Sequence, residues 1–292
     1  MKFDGNLAAI HAYLCADGYV IKNPPTQKNK YYRIALRNIN PILLKDFQKR
    51  FEKIFGVRPT IRKEGRCEKC SKEIYYKLTK EFTSFYSREW QIPRLNKKLS
   101  CIWLRAFFDC EGWVFNKSHQ NRHIGLDSIN ENGLDDIRNL LDILDIRTIK
   151  KVVKNGKMYR IFIYGKENLI KFQNKIGFLH PDKKRKLDEA IKDYIDYFWN
   201  FPRDKVQLKD FVRKLVKEKA RVKKPYQIRI TSKEETNLSQ LKKHLKYFYK
   251  IDCSVSKRIN GLGTIYYVLY IGRKSEVQRL ISLGLIEKIN GI

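Results

Sequence analysis

The chain has 292 residues, with 62 Lys or Arg against 31 Asp or Glu and a formal charge of +31. Hydrophobic residues make up 42 %, including 17 Tyr, 16 Phe and 4 Trp, enough to bury a core, which excludes a disordered basic tail. The positive excess runs along the whole length, which excludes an enzyme with one small basic pocket and makes nucleic acid the leading partner class.

Met1-Lys2-Phe3-Asp4 opens no signal-peptide pattern, and apolar runs such as 266–271 are too short to span a bilayer. The six Cys do not read as a secreted disulfide framework at this length. The expectation is an intracellular protein, cytoplasmic or organellar and nucleoid-associated, with no membrane partner.

In chain order, the first signal is a repeat. Residues 7–18 read LAAIHAYLCADG and residues 101–112 read CIWLRAFFDCEG. Both are apolar helical stretches ending in a small residue, an acid and a Gly; the acids are Asp17 and Glu111. After Gly18 come an extended segment and a strand over 31–37, in which Arg33 and Arg37 share one face and Ile34 and Leu36 the other. A helix is expected over 41–55, strands over 59–62 and 74–78 around a polar loop, and a short helix over 82–86. After Gly112 the order recurs: strands near Val114 and over 124–128, a helix over 134–144, then strands over 148–153 and 159–164 joined by the turn Asn155-Gly156. Helices follow over 166–176 and from Pro181 to about Trp199. The fold class expected is α+β, with two pseudo-symmetric αββαββα repeats over 1–98 and 99–200.

A basic α/β module over 201–292 completes the chain. It reads as an amphipathic basic helix over 206–220, a basic linker over 219–224 stopped by Pro225, a strand over 226–232, a helix over 238–248, and extended segments over 251–258 and 265–271 around the turn Asn260-Gly261. The sequence patterns Ile271-Gly272-Arg273-Lys274 and Tyr164-Gly165-Lys166 are alike, which makes a degenerate third repeat without a catalytic helix the expectation; an unrelated small α/β domain is the alternative.

A carboxylate at a helix C-terminus sits at the negative end of the dipole, a cost of about 0.3–1 kcal/mol that calls for a compensating cation. Two such carboxylates with nearby carbonyls form a hard oxygen site suited to Mg²⁺. Ala12 and Ala16 on one helix, and Ala106 and Cys110 on the other, form small-residue stripes that allow close helix packing and would bring Asp17 and Glu111 together.

The stretches Ile10 to Gly18 and Leu104 to Gly112, with Trp90-Gln91-Ile92-Pro93 and Ile176-Gly177-Phe178-Leu179 beside them, resemble the LAGLIDADG homing endonucleases of the single-chain, two-motif type. The resemblance covers about residues 5–199; His11, Cys15, Arg105 and Cys110 depart from the family pattern. It implies a Mg²⁺- or Mn²⁺-dependent endodeoxyribonuclease that cuts both strands of long DNA sites as a monomer, with Asp17 and Glu111 as metal ligands. It also implies a basic residue near the reacting phosphates, for which Lys97 or Lys98 and Lys183 or Lys184 are candidates; by position Lys98 and Lys184 are preferred. The sheets would read DNA through Arg33, Arg37, Lys150, Lys154 and Arg160, with Lys257 and Arg258 of the last module lengthening the footprint.

The pair Cys67 and Cys70 falls in an expected loop. No second Cys-x-x-Cys exists to complete a zinc site, and His119 and His123 sit in the other repeat, which leaves a local disulfide or free thiols. Trp90 and Trp103 read as core residues, and His180 as structural. The chain starts at Met1 and ends at Gly291-Ile292 rather than at splice-junction residues, so an intron-encoded protein is expected rather than an intein. The alternatives on the same scaffold are an RNA-binding intron maturase, with intron RNA as partner, and a non-cleaving DNA-binding regulator; both acids being present favours the nuclease.

Overall fold

The computed structural model describes residues 3–28, 31–117, 122–153, 157–192, 194, 199–224, 226–259 and 265–287. The chain divides into two compact units, one ending at residue 193 and the other beginning at 194.

The first unit holds two copies of one pattern. The first copy is α1 (Gly5–Ala16), β1 (Gly18–Lys22), β2 (Tyr32–Arg37), α2 (Pro41–Phe55), β3 (Thr60–Arg62), β4 (Arg66–Cys70) and α3 (Lys72–Glu81). The second is α4 (Lys97–Glu111), β5 (Gly112–Phe115), β6 (His123–Ser128), α5 (Glu131–Ile143), β7 (Ile149–Val153), β8 (Met158–Tyr164) and α6 (Lys166–Lys175), followed by α7 (Pro181–Lys192). Each copy forms a four-stranded antiparallel sheet, in the orders β1-β2-β4-β3 and β5-β6-β8-β7. This is the expected α+β architecture.

Local signals set the helix starts. Asp4, Asn40, Asn96 and Asn130 each accept backbone N–H groups at the heads of α1, α2, α4 and α5. Helix α1 is apolar all round and its residues from Leu7 to Cys15 are buried, as expected for a helix packed on several sides. It packs along α4, and the stripe residues Ala12 and Ala106 are both buried there.

The structure corrects four expectations. Residues 74–78 belong to the helix α3, because Ser71 caps it by accepting from the Ile74 N–H and the buried Ile74 and Leu78 are one helical turn apart. The strand before it is β4, whose Arg66 and Glu68 occupy the open sheet face while Cys67 faces the core. Residues 82–86 are not helical: Phe82 and Phe85 instead fold back onto the His11 ring, with centroids 4.3 and 5.5 Å away. Helix α7 ends at Lys192, short of Trp199. The segment 219–224 is no linker: it is the end of a helix and a paired strand.

That strand belongs to the second unit: α8 (Lys205–Lys219), β9 (Arg221–Lys224), β10 (Gln227–Ser232), α9 (Glu235–Tyr249), β11 (Ser254–Ile259), β12 (Ile265–Ile271) and α10 (Lys274–Ser282). Its sheet order, β9-β10-β12-β11, follows the same rule as the two sheets of the first unit. The core is closed by the three helices, with Val212, Leu215 and Val216 of α8 and Leu238, Leu241 and Leu245 of α9 packed on Ile228, Ile230, Leu269 and Ile271. The turns Asn155-Gly156 and Asn260-Gly261 and His119 lie outside the described residues.

His11 is fully buried where α1 meets α4, and its Nδ1 accepts the Trp103 indole N–H at 3.0 Å. Burial pushes its pKa down from 6.5 to about 3. The unfolded chain therefore takes up a proton near pH 6.5 that the folded chain refuses, so stability falls as pH drops from 6.5 toward 3, by about 1.4 kcal/mol per unit. His11→Gln keeps an acceptor for Trp103. Denaturation midpoints should show the wild type losing roughly 2–3 kcal/mol more than this variant between pH 6.5 and 4.5; parallel pH profiles would contradict it.

Candidate active site

Both motif acids stand where a helix hands over to the first strand of its sheet. Asp17 is the C-cap residue of α1 and Glu111 the last residue of α4. Each is followed by a Gly that a side chain could not replace. A Cβ on Gly18 would lie 2.5 Å from Leu14 Cα and 2.9 Å from the Ala35 oxygen, and one on Gly112 2.7 Å from the Phe108 oxygen. The glycines let the chain turn directly from helix into strand and so fix where the acids point.

Because α1 packs along α4, the two helix ends are neighbours: the Cys110 thiol hydrogen-bonds Asp17. The Asp17 carboxylate also accepts from Asn38 Nδ2 at 2.7 Å, and its carbonyl accepts the Arg37 N–H at 3.0 Å. Burial, and next the Asp17 charge, push the Glu111 pKa up to about 7. Two half-buried carboxylates side by side, with the Asp17 charge raising the cost of ionising Glu111, form a site that favours a cation. Among the described residues no cluster of three or more His, Cys, Asp or Glu could hold a metal by itself. The donor set is thus two carboxylates with positions left open, which fits a hard divalent ion completed by phosphate and water rather than an all-protein cage.

Helix α7 locks this end of α4. Lys183 Nζ, half-buried, donates to the carbonyls of Phe108, Asp109 and Cys110 at 3.1, 2.6 and 3.0 Å, satisfying groups that a helix C-terminus leaves unpaired. In return the buried Asp109 carboxylate accepts the N–H groups of Leu179 and His180 at the entry to α7, at 3.0 and 2.9 Å. Burial raises the Asp109 pKa to about 6, against the lowering effect of those N–H groups. Burial lowers the Lys183 pKa, and the acids around it oppose that shift.

The preferred lysines are therefore corrected. Lys183, not Lys184, turns toward the acids; Lys184 is exposed on α7. Lys98, with Lys97, sits exposed in the first turn of α4, about 20 Å along the helix from Glu111 at 1.5 Å per residue. Asn38 carries no motif signal; Asp109 lies within the Leu104 to Gly112 stretch, as a second acid two places before Glu111.

The sheet residues separate by register. Arg33 pairs with Cys70 and Arg37 with Arg66, so both arginines lie on the open face of the first sheet with Arg62 and Glu68. Glu68 draws Arg33, Arg62 and Arg66 to 3.7, 3.1 and 3.1 Å. Arg37 is exposed. Arg160 lies on the open face of the second sheet and grips Asp127 through two nitrogens. Lys150 is a correction: it pairs with the buried Ile161, which turns it to the helix side, where its Nζ bridges Glu131 and Asp135 of α5 at 2.8 Å each. Lys154 lies outside the described residues. Cys67 and Cys70 both carry free thiols, three places apart on β4 and so on opposite faces, one buried and one exposed.

No helix among the described residues is long and apolar enough to cross a membrane. The family model of a LAGLIDADG-like domain matches residues 4–88 and 99–177, together more than half of the chain. A DNA polymerase of Thermococcus aggregans is 30 % identical over 152 residues, which is 49 % of this chain and only 8 % of that protein's length. Among solved structures the chain is similar to I-DmoI in complex with DNA and Mn, with a TM-score of 0.48 and 16 % identity over 59 % of this chain and 96 % of that one. It is also similar to the homing endonuclease I-WcaI bound to its DNA recognition sequence, with a TM-score of 0.43 and 15 % identity over 64 % and 88 % of the two chains. The two matched segments coincide with the two αββαββα copies and each contains one helix-end acid: the chain belongs to the LAGLIDADG-like domain family.

Proposed function

We propose that the first unit is a site-specific double-strand DNA endonuclease, encoded within an intron and acting as a monomer that supplies both acids from one chain. The observation that carries this reading is the meeting of two helix-end carboxylates from two repeats, with Glu111 pushed up to about 7 by burial and by Asp17. A protein that only bound nucleic acid would gain nothing from half-buried acids beside a polyanion.

In this reading Asp17 and Glu111 hold Mg²⁺ or Mn²⁺. Such an ion supplies Lewis-acid polarisation of phosphate oxygens and a lowered pKa for bound water. Asn38 fixes the Asp17 carboxylate. Lys183 and Asp109 hold the α4 terminus, and with it Glu111, in place. The open sheet faces bind the duplex: Arg33 and Arg37 on one and Arg160 on the other are placed for guanine edges or phosphates.

The test is incubation of the protein with the DNA flanking its own gene, joined as if the insertion were absent, in Mg²⁺, in Mn²⁺ and in EDTA. A metal-dependent double-strand cut near the junction is expected. Tight, salt-sensitive binding without a cut would favour the regulator, and preference for the host intron RNA the maturase.

Lys183 acts as a positioning residue. Lys183→Met should lower the cleavage rate by about 10²-fold, within the range for groups that assist such chemistry. Lys183→Arg, which still donates to the carbonyls, should recover most of it. A wild-type rate in Lys183→Met would remove Lys183 from the site, and equal losses in both variants at unchanged melting temperature would overturn the positioning role through the carbonyls.

A further inference from the structure

The second unit repeats the element order and sheet order of the copies in the first, αββαββα with strands 1-2-4-3. Its first helix ends differently. Lys219 closes α8 directly before the cap Ala220, the position at which Glu111 closes α4 before Gly112. A cation and an alanine replace the acid and the glycine. The α8 flank that carries Lys209, Arg213 and Lys217 is exposed. It has none of the buried small-residue stripe by which α1 packs along α4.

The open face of its sheet follows from the register. Arg221 pairs with Arg229, and Arg229 with Tyr270. Tyr270 pairs with Ser254, and Tyr266 with Arg258. Alternation therefore places Arg221, Arg229, Thr231, Tyr266, Tyr270, Ser254 and Arg258 on one side, opposite the core residues Ile228, Ile230, Leu269 and Ile271. Arg221, Arg229 and Arg258 are exposed, and no carboxylate of the described strands shares their face. Among the described residues Arg221 reaches backbone carbonyls, those of Glu218 and Ala220. The two sheets of the first unit differ: Glu68 neutralises part of one face and Asp127 neutralises Arg160 on the other. Three guanidinium groups with no carboxylate of the described strands on their face, interleaved with tyrosines and hydroxyls on an antiparallel sheet, match a phosphate backbone and base edges in a groove.

We infer that the second unit is a third αββαββα repeat, without the metal-site acid, whose open sheet bearing Arg221, Arg229 and Arg258 is a binding face for duplex DNA. This inference rests on reading the first unit as a protein of duplex DNA. It makes the second unit an affinity module: it docks on DNA outside the cut and contributes nothing to hydrolysis.

The experiment uses the full chain in EDTA and a mixed-sequence 40-bp DNA duplex, with the dissociation constant measured against salt. Each phosphate contact contributes about 0.9 to the log–log slope. The variant R221A/R229A/R258A should therefore lose about 2–3 in slope and at least ten-fold in affinity at 150 mM salt. A control on the helix side, K242A/K243A/K246A on the exposed flank of α9, should stay close to wild type. Should the triple arginine variant not fold by circular dichroism, Arg229→Glu alone should still lower the slope by at least one. An unchanged slope in the arginine variants overturns the inference. So does an equal loss in the α9 control, which would mean diffuse charge and no face. So does a loss seen only with an RNA competitor and not with the DNA duplex. A chain that binds through this face and never cuts refutes the nuclease and leaves this face standing; a chain that cuts with the slope unchanged refutes this face alone.

Discussion

Asp17→Asn and Glu111→Gln should each lower double-strand cleavage by on the order of 10³-fold or more, about 4 kcal/mol of transition-state stabilisation, while duplex binding in EDTA should stay equal or tighten. The asymmetry follows from charge. On the proposed reading each carboxylate is required to hold a cation between protein and phosphate, but without that cation it only repels the phosphate. The isosteric amides keep the shape of the helix ends. In Asp17→Asn the new amide oxygen can still accept from Asn38 Nδ2, which hydrogen-bonds the Asp17 carboxylate at 2.7 Å. Glu111→Gln carries a second signature that needs no substrate. The Glu111 carboxyl titrates near 7 in the fold against 4.5 in its ordinary state, so its ionisation is disfavoured by folding and costs stability as pH rises above 4.5. In metal-free protein the glutamine variant should therefore melt higher than wild type at pH 8 and match it at pH 4.5. Variants that cut at wild-type rate would remove the metal site from these residues. Equal loss of binding and cutting would mean that the helix ends had been disrupted.

Trp103→Ala should cost about 3–5 kcal/mol, a large part of the stability of a unit this size. The ring is fully buried in α4, stacks on Phe107 with centroids 4.9 Å apart at 14°, and lies against Trp90 at 6.1 Å. Its indole N–H is the donor to His11 across the α1–α4 contact at 3.0 Å. Removal empties a large volume between helices that also align the two acids, and it leaves a buried acceptor unmatched. Urea midpoints measure the loss, and cleavage should fail at temperatures well below those the wild type tolerates. Trp103→Phe, which keeps a ring but not the donor, should cost roughly half as much. A loss below about 1 kcal/mol for the alanine variant would show that the helix contact does not depend on this ring.

What the sequence by itself determined is the repeat, the two acids and the sign of the partner. The acid-glycine pair at two helix ends is local: the dipole makes the acid costly, and the turn into the strand leaves no room for a side chain at Gly18 or Gly112. Hydrophobic alternation likewise placed Arg33 and Arg37 opposite Ile34 and Leu36, because strand period is a property of the backbone.

The sites built from several segments were decided by tertiary structure. Lys183 and Lys184 are adjacent in a basic run, and only the packing of α7 beside the end of α4 turns one of them into the open carbonyls. Lys150 reads as a sheet-face residue until pairing with Ile161 turns it toward Glu131 and Asp135. Residues 74–78 read as a strand because Tyr75 and Tyr76 favour one; the Ser71 cap and the burial of Ile74 and Leu78 override that preference. The basic run 219–224 reads as a linker because its charge hides a strand whose partner, β10, shows only in the fold. Charge and propensity are properties of a residue and its near neighbours. Which lysine meets a helix end, and which arginine lacks a carboxylate, depends on residues far away in the chain.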